Sequence, residues 1–300
     1  MEKKNTLGKE EFLKVFHSAI WMTYRKNFGP FENSQIGELK KCTTDTGWGC
    51  MIRSGQMLLA NTLLYHFFGD NFSLELINKN TEERIKYLSI LWEFMDNLHK
   101  SDAAFSIGNI MELGLKYGMK PKNWYGPSMI IRILHKLNKK HHPFTGFQTA
   151  CFPEGTIYKS SILKKACRIA EKDFDMSELC PEKDWVDSVL VMVSFRLGLT
   201  TLSPSQYQSI FKLLKMPECT GMLGGQKKSA LYFMGYQKDK LIFLDPHVTQ
   251  IAVESPVELW SQHLTYHFPT PLRLPIKKLD TSIGYGTSSH NEDRFLPKNL

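Results

Sequence analysis

Cys50 ends a glycine-rich turn in the stretch Asp45 to Gln56, read DTGWGCMIRSGQ, which runs straight into an apolar segment. That is a setting in which a nucleophilic thiolate can be built. From Cys50 to Phe68 the apolar residues Ile52, Leu59, Leu63 and Phe67 recur at spacings of four or more, Met57, Leu58 and Leu64 widen the stripe, and no proline interrupts. The spacing predicts a helix that starts at the cysteine. Free backbone N–H groups and the positive dipole end of such a helix favour the thiolate over the thiol and lower its pKa. Gly47 and Gly49 would let a substrate backbone approach closely. The other reading of Cys50 alone is an inert buried cysteine beside a turn.

A thiolate needs a base, and His247 closes the segment Leu241 to His247, read LIFLDPH. Its apolar run predicts a short buried strand. Asp245 and His247 lie two residues apart, so in extended backbone both side chains leave the same face. Pro246 fixes its own φ and biases Asp245 toward extended conformations. An aspartate beside an imidazole holds its tautomer and stabilises imidazolium, leaving the second nitrogen for the cysteine. The same three residues also read as an Asp-Pro turn with a solvent-facing histidine.

The elements that must position this constellation follow a simple order, helices early and strands late. Asn80 with Glu82 and Glu83 opens a helix carrying Ile85, Leu88, Leu91, Trp92 and Met95, and Met129 to Leu137 reads as another. Val189 to Phe195, Leu231 to Tyr236 and Leu241 to Leu244 read as strands, the last two as a hairpin across residues 237–240 that presents Asp245 and His247 opposite Cys50.

Composition sets bounds. The 300 residues are 42% apolar and 12% aromatic, enough for a substantial core. No run of apolar residues is long enough to span a membrane, and the Met-Glu-Lys-Lys start lacks a secretory core, so a cytoplasmic protein is expected. Cys42, Cys50, Cys151, Cys167, Cys180 and Cys219 show no Cys-x-x-Cys spacing, which argues against a zinc knuckle or a disulfide framework. The net charge of +8 includes clusters at Lys139-Lys140, Lys227-Lys228 and Lys277-Lys278 that suit a solvated surface or an anionic membrane. No nucleic-acid module is recognisable. Gly221 to Ser229 only superficially suggests a phosphate loop, because Gln226 stands where its second glycine belongs. His141-His142 lacks the partners of a metal site and reads as a lysine-rich solvated loop. No metal and no cofactor are expected.

Several blocks in one order raise the specificity further: Ile20 to Phe28 (IWMTYRKNF), Thr46 to Met57, Trp124 to Pro127 (WYGP), Arg196 to Leu199, Leu223 to Gly225 continuing to Ser229 to Tyr236, Leu244 to Gln250, and a weaker Leu279 to Gly284. Together they resemble the autophagins, papain-like cysteine proteases that process ubiquitin-like autophagy modifiers. The resemblance implies an α/β (α+β) fold in which a helical lobe carries the cysteine and an antiparallel sheet lobe carries the base. One catalytic domain is expected over 1–287, with a small inserted subdomain at about 145–180 and a flexible tail over 288–300.

The resemblance further implies that Cys50 is the nucleophile, His247 the general base and Asp245 its orienter. It implies that Tyr24, by residue type alone an aromatic in an amphipathic helix, donates to the oxyanion. Trp124 is implied to cover the groove for the substrate tail, with a gate loop of Gly224, Gly225 and Lys227 over it. Lys227 departs from the proline common at its place in the family, and Leu231 stands where relatives are often polar. The expected activity is cleavage of the modifier precursor after a C-terminal glycine and release of the modifier from phosphatidylethanolamine, with transient membrane contact. The alternatives are a catalytically silent binding module, which the intact triad disfavours, and a cysteine acyltransferase. Residues Glu10 to Val15 match an edge-strand docking peptide. They serve equally as a first helix burying Phe12, Val15 and Phe16, which is the favoured reading.

Overall fold

The structure, a computed structural model, describes residues 8–29, 42–96, 103–120, 122–169, 185–226 and 229–289. Helix α1, Lys9–Ser18, confirms the helical reading of the N-terminal segment. It buries Phe16 completely, while Val15 is 50% exposed and stands off the expected face. Strand β1, Tyr24–Lys26, follows, so Tyr24 is on a strand and not on the helix that its surroundings suggested. Helix α2 runs Cys50–Phe68, as the spacing predicts. Helix α3, Leu74–Lys79, is capped by Ser73, and α4, Thr81–Trp92, by Asn80, whose side chain accepts from the backbone N–H groups of Glu82 and Glu83. Helices α5, Ile107–Lys116, and α6, Pro127–Thr145, complete the helical layer.

The remainder builds one sheet and its second cover. Strand β2, Phe147–Phe152, leads through α7, Lys159–Ala166, to β3, Ser188–Arg196. Helix α8, Pro204–Lys215, opens with a Ser203–Gln206 capping box. Then come β4, Cys219–Gln226, β5, Ser229–Gln237, β6, Lys240–Leu244, β7, Thr249–Ile251, α9, Pro256–Gln262, β8, Leu272–Pro275, and β9, Ser282–Ser289. The main sheet has the order β2-β3-β9-β4-β5-β6-β8, and β1 pairs in parallel with β7 outside it. All its neighbours are antiparallel except β2 and β3.

Side chains alternate along these strands between two cores. Leu190 and Met192 of β3, Leu223 of β4, Ala230 and Tyr232 of β5, and Ile242 and Leu244 of β6 join α2, α4, α5 and α6. Val189, Val191, Val193, Met222, Leu231, Phe233, Leu241 and Phe243 face α7 and α8. Burial on both faces is why these strands read as unbroken apolar runs. Helix α2 is buried almost all round, and it lies close to the sheet because Gly286 leaves room: a Cβ there would meet Leu58 Cδ1 at 2.8 Å.

The inserted segment expected at about 145–180 is described to residue 169. Within it, β2 is an edge strand of the main sheet and α7 packs on the second core. Strand β9 carries the fold to Ser289, past the expected start of the tail at Ser288. His141 and His142 lie in the last turns of α6, not in a loop. They diverge, His141 toward Glu93 at 2.9 Å and His142 toward Asp187 at 3.9 Å, and no group of metal-binding side chains occurs among the described residues. No helix among those residues is long and apolar enough to cross a membrane.

Candidate active site

The turn before α2 is built around a buried carboxylate. The backbone carbonyl of Asp45 accepts from the N–H groups of Trp48 at 3.2 Å and Gly49 at 2.9 Å. Its Oδ1 accepts from the Arg25 N–H at 2.6 Å, and its Oδ2 pairs with Arg53 Nε at 2.7 Å. Arg53 also pairs with Asp96 at 2.9 Å and donates to Gln56. Gly49 is obligatory beside this carboxylate, since a Cβ would lie 2.3 Å from Asp45 Oδ2. Asp45 thereby ties the strand of Tyr24 to the helix of Cys50.

Asp245 and His247 are held from the other side. Trp21 Nε1 donates to the Asp245 carbonyl at 2.6 Å, and the Tyr24 N–H donates to the Pro246 carbonyl at 2.9 Å. His247 sits in a turn, not in extended backbone. One carboxylate oxygen, Asp245 Oδ1, accepts both the His247 backbone N–H at 3.0 Å and its Nδ1–H at 2.5 Å. The local side-chain-to-backbone bond replaces the shared strand face that residue spacing suggested. With Nδ1 occupied, Nε2 is the nitrogen that faces Cys50.

The electrostatics follow from these contacts. Burial pushes the Cys50 thiol up, but hydrogen bonds from His247, the Ala230 N–H and the Tyr24 hydroxyl, with the charge of His247, outweigh it and the net direction is down. The Asp245 and Cys50 hydrogen bonds push His247 up to about 9 against the opposing effect of burial. Asp245 is raised by burial and lowered further by its two bonds to His247, so it is held below the ordinary carboxylate value. The arrangement is a thiolate–imidazolium pair. The imidazolium is lost as pH rises through about 9, and the thiolate is lost as pH falls through the lowered value of Cys50. Burial, then the negative charge of Cys50, pushes Tyr24 well above its ordinary value, so its phenol stays neutral and can donate. Its ring meets His247 edge to face at 5.4 Å.

The structure therefore brings Cys50, His247, Asp245 and Tyr24 together. Trp124 is 39% exposed, just before α6. Gly224 and Gly225 are paired within β4, opposite Leu231 and Ala230, so the expected loop is strand up to Gln226. The pairing of Gln226 with Ser229 leaves only residues 227–228 as connection, and Lys227 lies outside the described residues. Leu231 points into the second core, away from Cys50.

Asp45, Arg53 and Asp96 received no role from the sequence, although a charged pair flanking a glycine turn inside an apolar stretch was a visible signal. Ser229 carried none.

A cysteine with an ion-paired histidine at a helix N-terminus, facing a sheet, defines a papain-like cysteine protease. Residues 9–297 match the peptidase C54 catalytic domain, and the chain belongs to that family and is a cysteine protease. It is 32% identical over 306 residues to "Cysteine protease ATG4B" of Gallus gallus, covering 96% of this chain and 74% of the relative. It is 30% identical over 313 residues to "Cysteine protease ATG4A" of Homo sapiens, covering 96% and 75%. Against "Cysteine protease ATG4C" of Homo sapiens the figures are 28% over 334 residues, covering 95% and 69%.

Proposed function

We propose that this protease cleaves a ubiquitin-like autophagy modifier after a C-terminal glycine, and frees the same glycine from phosphatidylethanolamine. The observation that carries the chemistry is the chain of contacts from Asp245 through His247 to Cys50. Cys50 Sγ attacks the glycine carbonyl carbon, and the oxyanion accepts from the Tyr24 hydroxyl and the Cys50 N–H. The C–N bond breaks as the His247 Nε2 proton passes to the leaving amine. Water, losing its proton to Nε2, then hydrolyses the thioester. Precursor and lipid conjugate present the same acyl–nitrogen bond, so one site serves both, and membrane contact is transient and substrate-borne. The free cysteines among the described residues fit a cytoplasmic setting.

Tyr24→Phe is expected to lower kcat by about 10²-fold or somewhat less, with little change in KM. A variant in which only KM rises would make Tyr24 a binding residue.

Substrate choice rests on a channel that Trp124 covers beside the strand end at Gly225, while Gly224 faces Phe233 and Ile283 of the second core, and the channel admits only an extended tail without side chains at its end. The test is a pair of precursors differing at the scissile residue. Replacing glycine with a bulky residue is expected to abolish cleavage, and Trp124→Ala to slow turnover of the folded modifier. Equal cleavage of both precursors by the unaltered enzyme would rule the channel out.

A further inference from the structure

The first two residues of β5 touch both members of the ion pair. Ser229 Oγ lies 3.3 Å from His247 Nε2, and the Ala230 N–H reaches Cys50 Sγ. The seat of Ser229 is set by its neighbour across the hairpin. Gly225 has φ +150°, and a Cβ there would fall 1.9 Å from the Ser229 carbonyl oxygen. Asp280 N–H donates to the Gly225 carbonyl at 2.8 Å, which pins that strand end from the other side.

We propose that Ser229 is a positioning residue for His247, its hydroxyl holding the ring from the Nε2 side as Asp245 holds it from Nδ1. The proposal rests on the protease reading of the site, not on the identity of the substrate. A single bond at Nδ1 leaves the imidazole free to tilt about its link to the backbone. The thiolate of Cys50 restrains the opposite nitrogen only until acylation, when the sulfur becomes a thioester and loses its charge. A serine hydroxyl accepts from an N–H and donates to a bare ring nitrogen. It therefore holds the ring in both protonation states of the cycle. Only glycine at position 225 lets the Ser229 backbone come close enough, which gives the paired glycines a role beneath the acid–base pair.

Among the described residues, the titratable groups facing the His247 ring are Asp245, Cys50 and Tyr24, all unchanged by an alteration at Ser229. The bond that Ser229 accepts from imidazolium is charge-assisted and stronger than the one it donates to the neutral ring, so its loss lowers the pH at which the ring deprotonates. The test is the ring-nitrogen NMR titration of His247 in the free enzyme, with no substrate present, for wild type, Ser229→Ala and Ser229→Thr. Ser229→Ala is expected to lower the midpoint by about half a pH unit, and kcat by about threefold to tenfold at unchanged melting temperature. Ser229→Thr, which keeps the hydroxyl, is expected to restore both. An unchanged midpoint in Ser229→Ala, or an equal shift in the alanine and threonine variants, would overturn the proposal. A normal wild-type midpoint and shift with no modifier cleavage would count against the substrate reading alone.

Discussion

Cys50→Ala is expected to abolish cleavage, with a loss of at least about 10⁴-fold, while the chain still folds. The side chain is 1% exposed and small, so alanine leaves the N-terminus of α2 intact and removes only the sulfur. His247→Ala should come close to the same loss, because formation of the thiolate and protonation of the leaving amine both need the imidazole. Asp245→Asn should keep the shape of the turn yet lose much of the rate, since an amide no longer enforces the tautomer that puts Nε2 toward sulfur. The measurement is turnover at long incubation together with thermal melting. Turnover clearly above background in Cys50→Ala would remove it as nucleophile, and a near-normal rate in Asp245→Asn would make that residue structural.

Arg53→Met carries the largest expected effect on stability, about 3–5 kcal/mol. Arg53 is fully buried between the Asp45 and Asp96 carboxylates at 2.7 and 2.9 Å, and removing it strands both. Burial opposes its charge, but the two carboxylates prevail and push its pKa further up, so the guanidinium stays charged. Asp45 also accepts the Arg25 N–H beside Tyr24, so whatever folds of the variant should turn over slowly. Chemical denaturation checks it. A loss below about 1 kcal/mol would show that water or a rearranged neighbour takes over the carboxylates.

The residues that perform the chemistry were more legible than the strands that hold them. Cys50 announced itself by a helical stripe beginning at a glycine turn, and α2 has those bounds. The hairpin of β5 and β6 was readable because its strands are apolar on both faces. Strands β4 and β9 were not, because their glycines lower strand propensity while serving the approach of α2 and the seat of Ser229. Strands β1 and β7 are too short to show a period, so Tyr24 passed for a helical residue. The contact between Asp245 and His247 was anticipated, but a bond to the His247 backbone N–H turns the chain there. Asp45 and Arg53 left a trace by flanking the glycine turn, but charges in sequence read as surface, and only tertiary structure shows the two joined with Asp96 in the core.

Incubating the enzyme with a modifier precursor extended beyond its terminal glycine, and determining the mass of the product, reads the reaction itself. Cys50-dependent hydrolysis after the glycine yields one new species, ending at that glycine as a free carboxylic acid, formed by the unaltered enzyme and absent with Cys50→Ala. A product cut at another residue, one carrying an added amine in place of water, or the same species with Cys50→Ala would contradict it.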